Sequence, residues 1–566
     1  MTQTGADIFV ESLKAEGVEV IFGYPGGAVL HIYDAIQRHN FPHILCRQEA
    51  AGLHMADGYA RSTGKTGVAL VTSGPGLSNA ITGIATAYSD SIPMVIFSGQ
   101  VPTHFIGTDA FQEADNVGLT RPVSKHNYLV RDVKDLAHTI KEAFHIASSG
   151  RPGPVVVDIP KDVSGAHYKF SYPDEVSLPH YQPRYEGHKG QIRRAMKMLL
   201  RAKRPVLYFG GGVVLSGAAK EMTALVDLLK IPTTYTLMGI GGIPGDHPDS
   251  LGMLGMHGTY RANLAVDECD VLMCIGARFD DRVTGKLDEF SLHSKKIHID
   301  IDPTSIGKCV ETHVPIVGDV KNCLQQLLAR LHEQDDPAAY HEQIAPWKAR
   351  IADWNNEHPI GYEQKDNGPL LPQFVLDKIF KMTEGKAVMT TDVGQHQMWA
   401  AQYYHAQHPN LWVTSGGLGT MGFGMPAAIG AQVARPDDLV IAVVGDGGFM
   451  MNIQELTTLV EQDVPVKIVL LNNQVLGMVR QWQEKFYDNR ESSIDLSAQP
   501  DFMKVAEAFG LKGMQAHTAA EAEQILKDGF AYDGPVLMEF CTERGTNCYP
   551  MVPAGAPSAK MLTSDS

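Results

Sequence analysis

The chain has 566 residues, which at roughly 150 per domain suggests about three or four domains. Apolar residues make up 44% and charged residues 20%, a globular composition that excludes disorder as the main description. The formal charge of −16, with no Lys/Arg-rich run, argues against nucleic acid as a partner, and no apolar run approaches the ~18–20 residues of a membrane span. The first residues carry no basic stretch followed by an apolar one, and the seven cysteines include no C-x-x-C pair. No secretory leader, reduced thiols and a cytoplasmic setting are therefore expected.

In chain order, short apolar runs alternate with helix-length stretches. The predicted strands are 43–46, 68–72, 94–98, 154–159, 206–209, 271–275, 297–301, 439–444, 466–471 and 536–540. Many are apolar throughout, as in parallel strands covered on both faces, and the alternation predicts an α/β fold. Two composition shifts, at 164–190 and 332–372, read as linkers, and the charge in the second reads as solvated surface. The predicted units are thus 1–165, 190–335 and 370–553, followed by a small, polar, mobile tail over 554–566.

The strand at 439–444 runs into Gly445-Asp446-Gly447-Gly448, and the next apolar strand leads to Asn472-Asn473, which puts Asn473 27 positions beyond Asp446. Glycines let backbone approach a phosphate closely. Asp446 and Asn473 offer oxygens to a hard cation, and a diphosphate can supply others of the about six that Mg²⁺ takes. Both stand at C-terminal strand ends, where open α/β sheets bind ligands. This block resembles the thiamine-diphosphate (ThDP) binding motif. Gly417-Leu-Gly419-Thr-Met-Gly422 formally fits the dinucleotide fingerprint. However, 412–414 is a short strand at best, and Asp437 and Asp438 precede the next strand instead of ending it. A nicotinamide site is not expected there.

Glu49 follows the strand at 43–46 and opens a helix, a place where a carboxylate is also favoured simply as a first-turn acid. Its context combines the Tyr24-Pro25-Gly26-Gly27 turn with Ala56-Asp-Gly-Tyr-Ala-Arg61. Together with 72–79, 107–112, 151–154, 158–161, 253–258, 276–282, 394–399, 416–424, 445–456, 472–482 and 549–553, these segments reach across almost the whole chain. The chain resembles the catalytic large subunits of acetohydroxyacid synthase, also called acetolactate synthase, of the biosynthetic type. Single blocks occur across ThDP enzymes; their combination with 278–285 is specific to that family.

The resemblance implies three doubly wound parallel-sheet domains: a pyrimidine-binding, a FAD-binding-like and a diphosphate/Mg²⁺-binding unit. It implies a ThDP-dependent carboligase that decarboxylates pyruvate and joins the hydroxyethyl unit to pyruvate or 2-ketobutyrate, in branched-chain amino acid biosynthesis. Glu49 would activate ThDP, with Phe111, Gln112 and Lys161 closing the pocket. Gln395, His396, Gly419, Met421, Gly445, Asp446, Gly447, Gly448, Asn473, Gly477 and Met478 would hold the cofactor. Asp446, Asn473 and the carbonyl of Val475 would hold Mg²⁺. Arg282 would take the second substrate's carboxylate, with Trp482 and Met256 beside it. Arg151, Gly210, Gly211, His257, Gly258, Gly276, Ala277, Arg278, Asp300, Ile301 and Asp319 would bind a structural FAD. The family also implies a homodimer or higher homo-oligomer with active sites at the subunit interface, and a separate small regulatory subunit.

Taken alone, Arg282 could be a surface ion pair with Asp280 or Asp281, and Trp482 could be core packing against Met478. A pyruvate oxidase type would lack 278–285, and glyoxylate carboligase lacks the activating glutamate. A non-catalytic partner would not need Glu49, Asp446 and Asn473 together. Two departures from the family pattern stand out: Gly448, where many relatives have Ser, and Ala554, where a second proline is frequent.

Overall fold

The computed structural model describes residues 2–333 and 337–564. Gln334, Asp335 and Asp336 of the expected second linker, and Asp565 and Ser566 of the expected tail, lie outside the described residues. The predicted strands are all present, displaced by no more than two residues at either end. They lie in three six-stranded sheets, each parallel throughout, and all but His43–Leu45, an edge strand, form the centres.

The first sheet runs His43–Leu45, Ile21–Gly23, Gly67–Val71, Met94–Gln100, Pro154–Pro160, His126–Leu129. The third runs Trp412–Thr414, Val388–Thr391, Val440–Gly445, Lys467–Asn472, Val536–Cys541, Lys512–Ala516, which is the same order of connection. The middle sheet runs Ser250–Met253, Thr233–Tyr235, Pro205–Phe209, Val271–Ile275, Lys295–Asp300, Val314–Val317. Its chain order is 3-2-1-4-5-6, the doubly wound order whose crevice binds dinucleotides where the winding reverses. That point lies between Phe209 and Ile275, and both strands end in glycine. By contrast, Trp412–Thr414 is an edge strand and does not adjoin Val440–Gly445. The fingerprint at 417–422 therefore lacks the paired strands that a nicotinamide dinucleotide needs.

The first and third units are joined tightly inside one chain. The helix Glu49–Thr63 lies against Gly424–Ala434 so closely that a Cβ at Gly58 would strike Ala427 O, and one at Gly430 would strike Met55 O. Two small residues at the crossing are what permit that approach.

The reading of 332–372 as a linker is corrected, although its described charged residues are mostly exposed. It contains the helix Pro337–Glu357, whose Tyr340, Ile344, Trp347, Ile351 and Trp354 are buried along one stripe. Tyr340 donates its hydroxyl to Leu199 O and Trp347 its indole N–H to Pro205 O, fastening the helix to the middle unit. The segment 164–190 also packs: Phe170, Tyr172, Leu178 and Tyr181 lie on the N-terminal core. Beyond Pro553, Ala556 O accepts Lys286 N–H, and Leu562 exchanges both backbone hydrogen bonds with Met551.

Candidate active site

Two adjoining cavities run through the middle and C-terminal units. The larger, about 770 Å³, sits at the reversal point of the middle sheet and is within the usual range for cofactor sites. Arg151, Gly210, Gly211, His257, Gly276, Ala277, Arg278, Asp300, Ile301 and Asp319 all line it. Gly258, the remaining member of the predicted FAD set, is not on its wall; its N–H turns to Gly255 O. Arg151 donates to Ser91 Oγ at 2.8 Å and to Asp302 Oδ2 at 3.1 Å, which ties the N-terminal unit to the cavity floor. Burial pushes the Asp300 carboxyl up to about 6 and the His257 imidazole down to about 4. His257 Nε2 is buried without a hydrogen-bond partner. Glycine backbone at two strand ends and an unsatisfied imidazole nitrogen fit a flavin dinucleotide.

The smaller cavity, about 70 Å³, lies at the corresponding place in the third sheet. Gln395, His396, Gly445, Asp446, Gly447, Gly448, Asn473, Val475 and Gly477 line it, and Met421 and Met478 line both cavities. Asp446 is 3% exposed and its Oδ2 has no partner, so burial lifts its carboxyl to about 7. A buried carboxylate oxygen without a partner is costly unless a cation meets it. Among the described residues no cluster of three or more His, Cys, Asp or Glu could hold a metal. Asp446 and Asn473 therefore suit an ion whose remaining oxygens come from a diphosphate and water.

Arg282 and Trp482 meet on the wall of the larger cavity, with Met256 and Gly419 also lining it. The guanidinium carbon lies 5.9 Å from the centroid of the Trp482 ring, which in turn packs edge-on to Phe486. Asp281 lies 3.8 Å from Arg282, whereas the side chain of Asp280 pairs with Arg278 at 2.7 Å. Arg282 remains 59% exposed, so its fork is open to a carboxylate beside an apolar wall.

Glu49, Phe111, Gln112 and Lys161 lie elsewhere, at the C-terminal edge of the first sheet. Glu49 opens its helix and accepts from Asn79 Nδ2 at 3.0 Å. Gln112 and Glu49 both flank the turn after Gly67–Val71: a Cβ at Gly74 would strike Gln112 O, and one at Gly76 would stand 3.7 Å from Glu49 Oε1. Lys161 opens the short helix after Pro154–Pro160. Phe111 is 89% exposed. The residues lining the Asp446 cavity all come from the C-terminal unit, and Glu49, Phe111, Gln112 and Lys161 line neither cavity.

The loop bearing Phe111 and Gln112 is anchored by Asp158. This buried carboxylate accepts from Asn116 Nδ2 at 2.7 Å and Gln100 Nε2 at 3.2 Å. Burial nevertheless pushes it up to about 7, above its ordinary 3.8. A carboxyl raised by folding stabilises most at acid pH and loses on the order of 1.4 kcal/mol per unit between about pH 4 and 7. Asp158→Asn should therefore gain thermal midpoint relative to wild type as pH rises from 5 to 7. Parallel melting curves at three pH values would check this, and a pH-independent difference would remove the assignment.

Sequence reading missed Asp392. It is buried, and its carboxylate receives the N–H groups of Val393, Gly422 and Gly424, fixing the loop that carries Met421. It also explains Gly448: a Cβ there would collide with the Asp392 carboxylate. Ser89, Asp90 and Ser91, which also line the larger cavity, carry no motif that would have marked them.

The fold and paired cavities define a thiamine-diphosphate enzyme. Residues 3–119, 192–327 and 392–540 match, respectively, the N-terminal TPP binding, central, and C-terminal TPP binding domains of thiamine pyrophosphate enzymes. Within that class the chain belongs to the acetolactate synthase large subunits. It is 47% identical to "Acetolactate synthase large subunit" of Haemophilus influenzae, over 99% of this chain and 98% of that protein. It is 46% identical to "Acetolactate synthase isozyme 3 large subunit" of Escherichia coli, over 99% and 98%. It is 47% identical to "Probable acetolactate synthase large subunit" of Methanocaldococcus jannaschii, over 97% and 94%. Among the described residues no helix is long and apolar enough to cross a membrane.

Proposed function

We propose that the chain catalyses the acetohydroxyacid synthase reaction, in which pyruvate loses CO2 and its two-carbon unit joins a second pyruvate or 2-ketobutyrate. The observation that carries this reading is the open Arg282 fork beside Trp482, on a wall continuous with Met421 and Met478 at the Asp446 cavity. ThDP supplies the ring that stabilises negative charge on the two-carbon unit. Asp446, Asn473 and the carbonyl of Val475 would hold Mg²⁺, which neutralises a diphosphate's charge. Met421 would pack against the cofactor, and Gln395, His396, Gly419 and Met478 would line its cleft. Glu49 holds a proton on the cofactor's pyrimidine nitrogen. Arg282 anchors the acceptor carboxylate.

Because Glu49, Phe111, Gln112 and Lys161 lie off the Asp446 cavity, we place them over the cleft of a second copy of the chain. Exposed Tyr24, Leu30, Phe105 and Phe111 on one unit, and Met450, Met451 and Val460 on the other, offer apolar surface for that contact. The relatives' designation as large subunits supports a smaller regulatory companion. All seven cysteines are free, as suits a reducing, cytoplasmic compartment. Acetolactate formation from pyruvate, with ThDP, Mg²⁺ and FAD omitted in turn, tests the reading; activity without ThDP would overturn it.

FAD bound at the larger cavity is structural, since the condensation has no net redox change. Its absorbance should stay that of oxidised flavin during turnover in a stopped-flow experiment. One flavin reduced per acetolactate formed would contradict this.

Trp482→Leu should lower the preference for 2-ketobutyrate over pyruvate by more than it lowers acetolactate formation. One methyl group in an apolar pocket is worth roughly 1–3 kcal/mol, so the preference rests on few wall contacts. Arg282→Ala removes the anchor common to both acceptors and should depress both products together. Competition between the two keto acids measures the ratio; a ratio altered only by Arg282→Ala would reverse the two roles.

A further inference from the structure

The loop between Trp412–Thr414 and Gly424–Ala434 carries Gly416, Gly417, Gly419 and Met421 into the larger cavity. Asp392, from its own unit, fixes the far end of this loop. The near end is fixed by the N-terminal unit. Asp90, the last residue of the helix Pro75–Asp90, turns both carboxylate oxygens onto it. Its Oδ1 accepts Gly417 N–H at 2.7 Å, and its Oδ2 accepts Gly416 N–H at 3.1 Å. Arg61 Nη2 donates to the same Oδ2 at 2.9 Å, and Arg61 Nε donates to Asp57. The side chains of Asp57, Arg61 and Asp90 are 0%, 5% and 1% exposed. One turn earlier on the Asp90 helix, Thr86 Oγ1 shares a hydrogen bond of 2.7 Å with Thr420 Oγ1.

The loop is thus pinned at 416–417 and again at 420, on either side of Gly419 and immediately before Met421. Hydrogen bonds from backbone N–H to a carboxylate are stronger than neutral ones, and here the accepting Asp90 side chain is itself buried, so the loop is held to a fixed point. Arg61, paired with Asp57, orients the Asp90 carboxylate. A cluster that only glued two units together would have no need to reach backbone amides in a cavity wall. Each of these contacts acts on the segment bordering the cofactor cleft.

We propose that Asp90 is a positioning residue for the cofactor. Oriented by Arg61 and assisted by Thr86, it sets where Gly419 and Met421 stand over the cleft. The inference rests on the assignment of that cleft to ThDP made above.

The test uses the full-length chain with Asp90→Asn and, as the milder variant, Thr86→Val. Half-saturation by ThDP should rise about tenfold or more for Asp90→Asn and about threefold for Thr86→Val. Pyruvate KM at saturating ThDP should stay within about twofold. Amide hydrogen exchange should accelerate in the peptide spanning 413–422 and stay unchanged across Val440–Gly445. That readout needs no cofactor, so it judges the clamp even if the wild-type chain proves independent of ThDP. Wild-type half-saturation in both variants would overturn the proposal. So would unchanged exchange at 413–422, or a ThDP defect that merely follows the fraction of folded protein.

Discussion

Glu49→Gln is expected to lower acetolactate formation by two orders of magnitude or more, which corresponds to about 3 kcal/mol or more in the barrier. The amide keeps the shape of the side chain and can still accept from Asn79, the side chain's one hydrogen-bonding partner among the described residues. A neutral group cannot, however, stabilise a proton on the pyrimidine ring. Glu49 is half-buried at a sheet edge, so its replacement leaves no buried charge unpaired, and the fold should survive. Initial rates from pyruvate at saturating ThDP and Mg²⁺, with circular dichroism as the check on folding, measure the effect. Activity within about threefold of wild type would remove Glu49 from the proposed mechanism.

Much of the architecture is legible in the sequence because buried parallel strands leave uninterrupted apolar runs. Strands such as Met94–Gln100 and Val440–Gly445 need no partner information to be recognised. The strands that escape are short: Ile21–Gly23 and Thr233–Tyr235 have three residues each, too few for a periodic signal. The helix Pro337–Glu357 is hidden differently. Its Pro346 and acidic flank suggest a break, while its aromatic stripe appears only when residues four and three apart are compared.

The site divides along similar lines. Gly445–Gly448 and Asn473 are legible because each sits at the end of an obvious strand, and the chemistry of a diphosphate demands those residue types there. Asp392 and Asp90 are not. Their function is to hold backbone amides 30 and 327 positions away, at Gly422 and Gly417, and that relation exists only after the chain has folded. Arg282 was ambiguous for a similar reason: a neighbouring aspartate is visible in the sequence, whereas the Trp482 ring beside the guanidinium is not.

Asp446→Asn should raise ThDP half-saturation about a hundredfold or more, a loss of about 3 kcal/mol in binding. The buried Asp446 Oδ2 has no hydrogen-bond partner among the described residues, so its charge is useful only when a cation is bound. Without cofactor, the Asn variant should therefore melt no lower than wild type, whereas Mg²⁺ with ThDP should raise the wild-type midpoint more than the variant's. This variant also tests the arrangement of the two half-sites. If Glu49 of one copy serves the Asp446 cavity of another, mixed dimers of Glu49→Gln and Asp446→Asn contain one site with both residues intact. Each variant alone should be nearly inactive. Random co-assembly would then return about a quarter of wild-type activity, because about half the dimers are mixed and each holds one good site of two. If both groups acted within one chain, every site in the mixture would carry a defect and no activity would return.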